Sequence, residues 1–216
     1  MAQKLKESSL NLKESILLAI PRRGVPVTYE VARNLNIPFS LIITKKLVPL
    51  SNPEFAFGAI APDGMTLINK KYLSYHRIND EELEQIKEKA LTQIKNRIQK
   101  YQINENIELN GKNSIFVDDG IATGYTAMVA GEYIKRKGSE KTVLAIPVAP
   151  RSGIKRAKEV FDLVICYQPI AAMTFAVGAY YNDFHQIQDE ELYNYMYKAK
   201  EQNLILGKVN EIPSTV

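Results

Sequence analysis

One stretch near the middle of the chain, residues 114–126, constrains the fold more than any other. A short apolar and partly β-branched run ends there in two adjacent carboxylates, Asp118 and Asp119. A loop of small and hydroxylated residues follows, and a pattern typical of a helix then begins. Gly120 and Gly124 let the loop turn tightly. The stretch therefore predicts a strand, an acidic tip, a tight loop and a helix in succession.

This loop suits a phosphate group that is attached to a sugar. The N–H groups that open a helix have no partner within the helix, so an anion is stabilised there. The hydroxyls of Thr123 and Thr126 can donate further hydrogen bonds, and the two carboxylates can accept from sugar hydroxyls. A plainer interpretation is that the aspartates only end a strand and cap a helix, although one carboxylate is enough for a cap.

Four further apolar runs resemble the strand before the aspartates. They lie at residues 15–20, 39–44, 142–148 and 163–167, and helical patterns separate most of them. Uninterrupted apolar strands are typical of parallel sheets covered on both faces, and strand–helix alternation joins parallel strands through crossovers. We therefore predict an α/β fold in a single domain over residues 1–216. Its doubly wound, mainly parallel sheet has five strands, with helices on both faces.

The chain departs from this alternation in two places. An Asp-Gly pair between apolar stretches predicts an inserted β-hairpin flap over residues 47–79. A flap beside a site is a candidate lid, although a solvated loop also explains each of its polar residues. Residues 168–188 are rich in aromatic and small side chains and predict a small C-terminal hood. Phe175 and Tyr181 could stack on a planar ligand there, or could simply pack the C-terminal extension.

Charged residues also follow the first two strands. Arg22, Arg23 and Gly24 follow the first, and Lys45 and Lys46 follow the second. Arginine presents a planar fork to phosphate oxygens and glycine lets the backbone approach, so the first tip suits a pyrophosphate. A solvated pair of arginines is the alternative. Because open parallel sheets bind ligands beyond the carboxyl ends of their strands, we expect these tips to converge with the aspartates.

A long amphipathic helix is predicted to begin at Asn79, a capping residue, and to run to about Tyr101. Its apolar stripe could pack on the rest of the chain or on a second subunit, so a homodimer is left open. Its basic residues near the end, Lys95, Arg97 and Lys100, are interpreted as part of its solvated face.

Composition narrows the function classes. The formal charge of +4 is spread along the chain without an arginine-rich tract, so we do not expect nucleic-acid binding. No apolar stretch approaches the ~20 residues of a membrane span. The N-terminus also lacks the apolar core of a signal peptide, so we expect a cytoplasmic protein. Cys166 is interpreted as a small buried hydrophobe rather than a nucleophile, and His76 and His185 lack metal-site spacing.

Several motifs resemble those of the type I phosphoribosyltransferases, which bind phosphoribosyl pyrophosphate (PRPP). The run Val-Asp-Asp-Gly-x-Ala-Thr-Gly looks like the PRPP signature of that family, and neither a P-loop nor a Gly-x-Gly-x-x-Gly turn occurs. Three other motifs are similar to a group of predicted phosphoribosyltransferases whose acceptor is not established: Pro-Arg-Arg-Gly-Val-Pro-Val, Asn-Pro-Glu with Phe-Gly-Ala-Ile-Ala, and Ala-Val-Gly-Ala-Tyr-Tyr-x-Asp-Phe-x-Gln. That group usually has an additional N-terminal Phe/Arg segment, and Arg-Lys where this chain has Lys45 and Lys46.

The resemblance implies a role for each matching residue. Asp118 and Asp119 would hold the ribose hydroxyls and, with Arg23, form the catalytic set. The 5′-phosphate would be bound by Ala122, Thr123, Gly124, Tyr125 and Thr126. The pyrophosphate would be bound by Arg22, Arg23, Gly24 and Lys46, and the acceptor by Phe175 and Tyr181. Mg²⁺ would arrive with PRPP and be bound mainly by its oxygens and by water, with no metal site made of protein ligands alone.

The implied reaction is transfer of the phosphoribosyl group from PRPP to a nitrogenous base or related acceptor, with release of pyrophosphate. Two alternatives remain open. A non-catalytic PRPP or nucleotide sensor of the same fold would explain why no acceptor-specific base can be named. An unrelated phosphatase or sugar-phosphate hydrolase fits the fold, but the sequence has no nucleophile motif for it.

Overall fold

In the computed structural model of the protein, five of the apolar runs form one parallel sheet. The structure describes residues 1–49, 56–104, 107–172 and 174–206. The strands in these ranges are β1 Ser15–Ala19, β2 Phe39–Leu41, β3 Lys45–Leu47, β4 Gly58–Ile60, β5 Thr66–Ile68, β6 Asn113–Val117, β7 Lys141–Pro150 and β8 Leu163–Ile170. The large sheet has the order β2-β1-β6-β7-β8, and all neighbouring pairs are parallel. The predicted five-stranded α/β sheet is confirmed.

The helices in the described ranges connect these strands and cover the sheet. They are α1 Ala2–Lys6, α2 Gly24–Leu35, α3 Lys70–His76, α4 Asp80–Lys100, α5 Tyr125–Arg136, α6 Arg151–Ala157 and α7 Asp189–Glu201. The predicted cap of α4 is present, since the Glu82 N–H donates to Asn79 Oδ1 at 2.8 Å. Within the described ranges, no helix combines the length and the apolar character that a membrane crossing requires.

Side chains on β1 alternate between two cores, one on each face of the sheet. Ile16 and Leu18 belong to the core that contains residues of α5 and α6. Leu17 and Ala19 belong to the opposite core, with residues of α2, α4 and α7. All five β1 residues are buried, as expected for a strand covered on both faces. The two cores account for the continuous apolar pattern that predicted this strand.

Strands β3, β4 and β5 form a second, antiparallel sheet. The turn between β4 and β5 lies at the predicted Asp-Gly pair, where Gly64 adopts a φ of 86° and the Met65 N–H donates to Asp63 Oδ1. Strand β2 ends at Leu41, earlier than predicted, and Lys45 and Lys46 lie in β3 of the small sheet. Residues 50–55, part of the predicted flap, lie outside the described residues.

The strand order of the large sheet reverses between β1 and β6. Strand β2 lies on one side of β1, and β6 lies on the other side. Ala19 pairs with Val117 in the parallel register, so the last residues of both strands lie side by side. Open parallel sheets bind ligands in the crevice at such a reversal. The topology therefore brings together the loops that follow β1 and β6.

Candidate functional site

A cavity of about 430 Å³ lies at the carboxyl ends of β1 and β6. We name the two loops that border it the arginine loop (residues 20–24) and the acidic loop (residues 118–124). Predicted site residues that line the cavity are Arg22, Arg23, Lys46, Asp118, Asp119, Ala122, Thr123, Gly124 and Thr126. Gly24 and Tyr125 are the first residues of α2 and α5, directly behind the lining. The expected convergence of the strand tips is present, and the volume falls in the range of small-ligand sites.

The two aspartates of the acidic loop have different surroundings. Asp118 is buried, and its Oδ1 accepts a hydrogen bond from the Asp119 N–H at 2.9 Å. Burial raises the pKa of the Asp118 carboxyl well above its ordinary value, and the adjacent Asp119 carboxylate adds to the rise. Burial also raises the pKa of Asp119, while its contact with Asp118 and the charge of Arg23 act in the opposite direction. The pair is therefore costly to ionise fully without a ligand or a cation.

The rest of the acidic loop leads into the N-terminus of α5. Gly124 is the N-cap of this helix and has a φ of 79°, a left-handed conformation that glycine adopts at little cost. No side chain caps the helix, so its first N–H groups remain available beside the cavity. From the other side, the Arg156 guanidinium donates to the carbonyls of Ala122 and Thr123, both at 3.3 Å. The loop therefore directs its carbonyls towards α6 and offers an anion site at the helix terminus.

The arginine loop contacts the acidic loop directly. It contains a cis peptide bond between Pro21 and Arg22, and the Gly24 N–H donates to the Ile20 carbonyl at 3.1 Å. A Cβ atom on Gly24 would lie 3.0 Å from Asp118 Oδ1 and 3.0 Å from the Val117 carbonyl oxygen. A side chain at residue 24 would therefore crowd the acidic loop, and glycine allows the two loops to approach closely.

The C-terminal part of the chain holds both arginines of this loop. The Arg23 guanidinium lies 3.9 Å from the centre of the Phe184 ring, and its Nε donates to the His185 carbonyl at 3.3 Å. Arg22 Nη1 lies 3.4 Å from Asp189 Oδ1. Phe184 also lines the cavity. No local pattern indicates these contacts, because the partners lie more than 100 residues apart along the chain.

Two further cations, neither of them in the predicted pyrophosphate-binding set, line the same cavity. Arg97 of α4 lines it with a half-buried side chain, whereas the sequence predicted only a place on the solvated face of the helix. Lys45 also lines it, and burial followed by the charges of Arg97 and Arg22 lowers the pKa of its ammonium group. The position of Lys45 directly after the second predicted strand indicated that it would lie near the site. No sequence feature indicated this for Arg97, because charged residues on a helix are usually solvated.

The predicted acceptor residues lie apart from this cavity. Tyr181 lines a second cavity of about 550 Å³ together with Tyr167, Tyr180 and Val148. Phe175 stacks on Tyr180, with ring centres 5.5 Å apart, and lines neither cavity in the described part of the chain. The Tyr181 hydroxyl nevertheless donates to the Asp119 carbonyl at 2.5 Å. Tyr181 therefore links the hood to the acidic loop.

The sequence matches the family profile described as "Phosphoribosyl transferase domain" over residues 1–182. The chain belongs to the phosphoribosyltransferase family. This finding confirms the family that the motifs predicted. It also agrees with the geometry, because both loops singled out by the resemblance border one cavity.

Relatives of this chain are consistent with its membership of the family. Proteins from two strains of Mycobacterium tuberculosis, both named as predicted phosphoribosyl transferases, are 34% identical to it over 200 residues. The match covers 92% of this chain but 44% of each relative, so the chain spans less than half of their length. A Thermus thermophilus protein of known crystal structure is 29% identical, with a TM-score of 0.73, over 91% of this chain and 92% of its own.

The raised pKa of Asp118 predicts how the stability of the protein depends on pH. The folded state favours the protonated carboxyl, so the stability that Asp118 contributes is complete below its unfolded pKa and is lost as pH rises through its folded pKa. Asn resembles the protonated form and does not titrate. We expect the free energy of unfolding of Asp118→Asn to increase relative to the native chain from acidic to neutral pH. Urea unfolding across this range measures the difference, and a pH-independent difference would contradict the assignment.

Proposed function

We propose that this chain binds PRPP in the 430 Å³ cavity and transfers its phosphoribosyl group to a nitrogenous base or related acceptor. A bond forms between C1 of the ribose and a nitrogen of the acceptor, and the bond from C1 to the pyrophosphate oxygen breaks. The electron pair leaves with pyrophosphate, and the acceptor nitrogen releases its proton to solvent. The meeting of the acidic and arginine loops at one cavity is the observation that carries the proposal.

The acidic loop would bind the ribose 5-phosphate part of PRPP. Asp119 is the more accessible carboxylate, and Asp118, fixed by the Asp119 N–H, would accept from the second ribose hydroxyl. The free N–H groups of α5 and the hydroxyls of Thr123 and Thr126 would surround the 5′-phosphate. Hydrogen bonds from the ribose hydroxyls would compensate the two carboxylates for their burial.

The cationic lining would bind the pyrophosphate. Five basic side chains and two carboxylates line the described cavity; the basic ones are Arg22, Arg23, Lys45, Lys46 and Arg97. As the C1–O bond breaks, negative charge accumulates on the pyrophosphate while the ribose becomes oxocarbenium-like. Fixed cations on the leaving-group side stabilise that charge separation, which is the main catalytic contribution this site can make.

Magnesium fits this site as a partner of PRPP. Among the described residues, no group of three or more His, Cys, Asp or Glu side chains is arranged to hold a metal ion. Mg²⁺ commonly keeps several waters and binds one or two carboxylates together with substrate phosphates, and Asp118 and Asp119 can supply such carboxylates. When bound, the ion would supply charge neutralisation for the pyrophosphate. Omitting magnesium from an assay of pyrophosphate release from PRPP tests whether the reaction requires the ion.

Release of labelled pyrophosphate from PRPP tests the proposed reaction. The protein is incubated with PRPP, Mg²⁺ and each member of a panel of purine, pyrimidine and related nitrogen acceptors. We expect acceptor-dependent release with at least one member, and no release from Asp119→Ala. Glu140→Ala is the matched control, since this exposed carboxylate precedes β7 at the opposite end of the sheet. No PRPP binding by the native chain would overturn the proposal.

A sensor function is favoured by one feature of the site. In the described part of the chain, the cavity is lined by no His or Cys side chain that could remove a proton from an acceptor. Tight PRPP binding without release of pyrophosphate for any acceptor would support a sensor over an enzyme. Calorimetry with PRPP, combined with measurement of the oligomeric state with and without PRPP, then tests the sensor function. A sensor should change its oligomeric state when PRPP binds.

A further inference from the structure

Asp189 occupies a cluster of polar groups outside the cavity. It is the first residue of α7, and its side chain is 23% exposed. Its Oδ1 accepts a hydrogen bond from the Tyr101 hydroxyl at 2.6 Å, and its Oδ2 lies 2.6 Å from Lys100 Nζ. Tyr101, which directly follows α4, is 2% exposed. Two helices thus fix the position of one carboxylate.

The same carboxylate contacts the arginine loop. Arg22 Nη1 lies 3.4 Å from Asp189 Oδ1, while the Arg22 side chain also lines the cavity. A guanidinium has five N–H donors in a rigid plane, so one contact with Asp189 leaves others directed elsewhere. The arginine is therefore held at its edge and remains able to bind an anion in the cavity.

The other partners of Asp189 limit its competition for Arg22. Although burial acts in the opposite direction, the hydrogen bonds from Lys100 and Tyr101 hold the pKa of the Asp189 carboxyl below its ordinary value. Its charge is shared between the Lys100 ammonium and the Arg22 guanidinium. Because Lys100 already neutralises part of its charge, Asp189 can orient Arg22 without competing strongly with an anion that Arg22 binds.

We infer that Asp189 is a positioning residue for Arg22: it holds the guanidinium, through α7 and the end of α4, in the orientation that receives the pyrophosphate of PRPP. This inference rests on the proposed function. It assigns to the start of α7 a role in binding the leaving group, although Asp189 does not line the described cavity.

The test is calorimetric titration of the full chain with magnesium pyrophosphate. Asp189→Asn keeps the side-chain shape but removes the charge, and we expect binding to weaken about tenfold, the factor for losing one charge-assisted hydrogen bond. Tyr101→Phe, which leaves every charge in place, should weaken it in the same direction by a smaller factor. Glu190→Gln is the matched control, since this exposed carboxylate lies in the same first turn of α7. We expect its affinity to equal that of the native chain.

A double-substitution cycle separates positioning from a general structural effect. If Asp189 acts through Arg22, Asp189→Asn should have little further effect on pyrophosphate affinity in an Arg22→Ala background. An equal loss in both backgrounds would overturn the inference, as would unchanged or tighter binding by Asp189→Asn alone. Absence of pyrophosphate and PRPP binding in the native chain would instead overturn the proposed function, and the positioning role with it.

Discussion

Asp119→Ala should weaken PRPP binding at least about a hundredfold and remove measurable release of pyrophosphate. Asp119 is the accessible carboxylate of the cavity, and hydrogen bonds to a charged group contribute roughly 1.5–3 kcal/mol each. Two such bonds to ribose account for a loss of that size, since tenfold corresponds to about 1.4 kcal/mol. Without the carboxylate, the ribose would also lose its orientation towards the acceptor. Calorimetry with PRPP and the pyrophosphate-release assay measure both effects.

The same substitution should leave the fold intact. The contact that fixes Asp118 uses the backbone N–H of residue 119, which alanine keeps. Removing a carboxylate whose neighbour is a buried carboxyl also relieves repulsion between like charges. Thermal unfolding should therefore give a midpoint at or above that of the native chain. PRPP affinity equal to that of the native chain in a folded Asp119→Ala variant would show that the acidic loop has been assigned to the wrong ligand.

Arg23→Ala is expected to weaken binding of both PRPP and pyrophosphate by about ten- to a hundredfold, the range for one or two charge-assisted hydrogen bonds. Arg23 lines the cavity between Asp119 and the Phe184 ring. Its loss removes a cation from the side of the leaving group, so turnover should fall further than binding. Arg23→Lys keeps the charge but loses the planar fork and the stacking on Phe184, and should recover only part of the affinity.

Arg33→Ala provides the control for this arginine. Arg33 lies at the far end of α2, is exposed and pairs with Glu30 at 2.8 Å, so its removal changes the net charge by the same amount. We expect the Arg33→Ala variant to bind pyrophosphate with the affinity of the native chain. Equal affinities of Arg23→Ala and Arg33→Ala for pyrophosphate would mean that net charge, rather than the arginine loop, determines binding.

Sequence patterns were sufficient where the fold, and the position of a loop in it, depend on neighbouring residues. The aspartates and the arginine loop each follow a strand directly, and the sheet then brings the strand ends together. Arg97 could not be identified in this way. It lies near the end of a 21-residue helix, where a small rotation about the helix axis decides between solvent and cavity. The apolar stripe of a helix specifies its buried face but not the side chains at the edge of that face.

The contacts of the C-terminal segment were beyond sequence reasoning for a different reason. Phe184 and Asp189 meet Arg23 and Arg22 only because the chain returns across the carboxyl edge of the sheet after β8. Such contacts depend on the path of a loop, which no local period encodes.

Lys46 lines the cavity as predicted, but it lies in β3 of the small sheet rather than at the end of the second strand of the large one. A charged pair after an apolar run marks the end of a strand equally well whether or not the next residues join another sheet.

The pairing of β1 with β6 also has a consequence for how the protein folds. These strands are adjacent in the sheet but about a hundred residues apart along the chain, and closing such a loop costs about 4 kcal/mol of entropy. The cavity cannot be complete until β6 has paired with β1, because the acidic loop directly follows β6. The cavity should therefore appear late in folding, and an anion that binds it should protect the completed chain against unfolding.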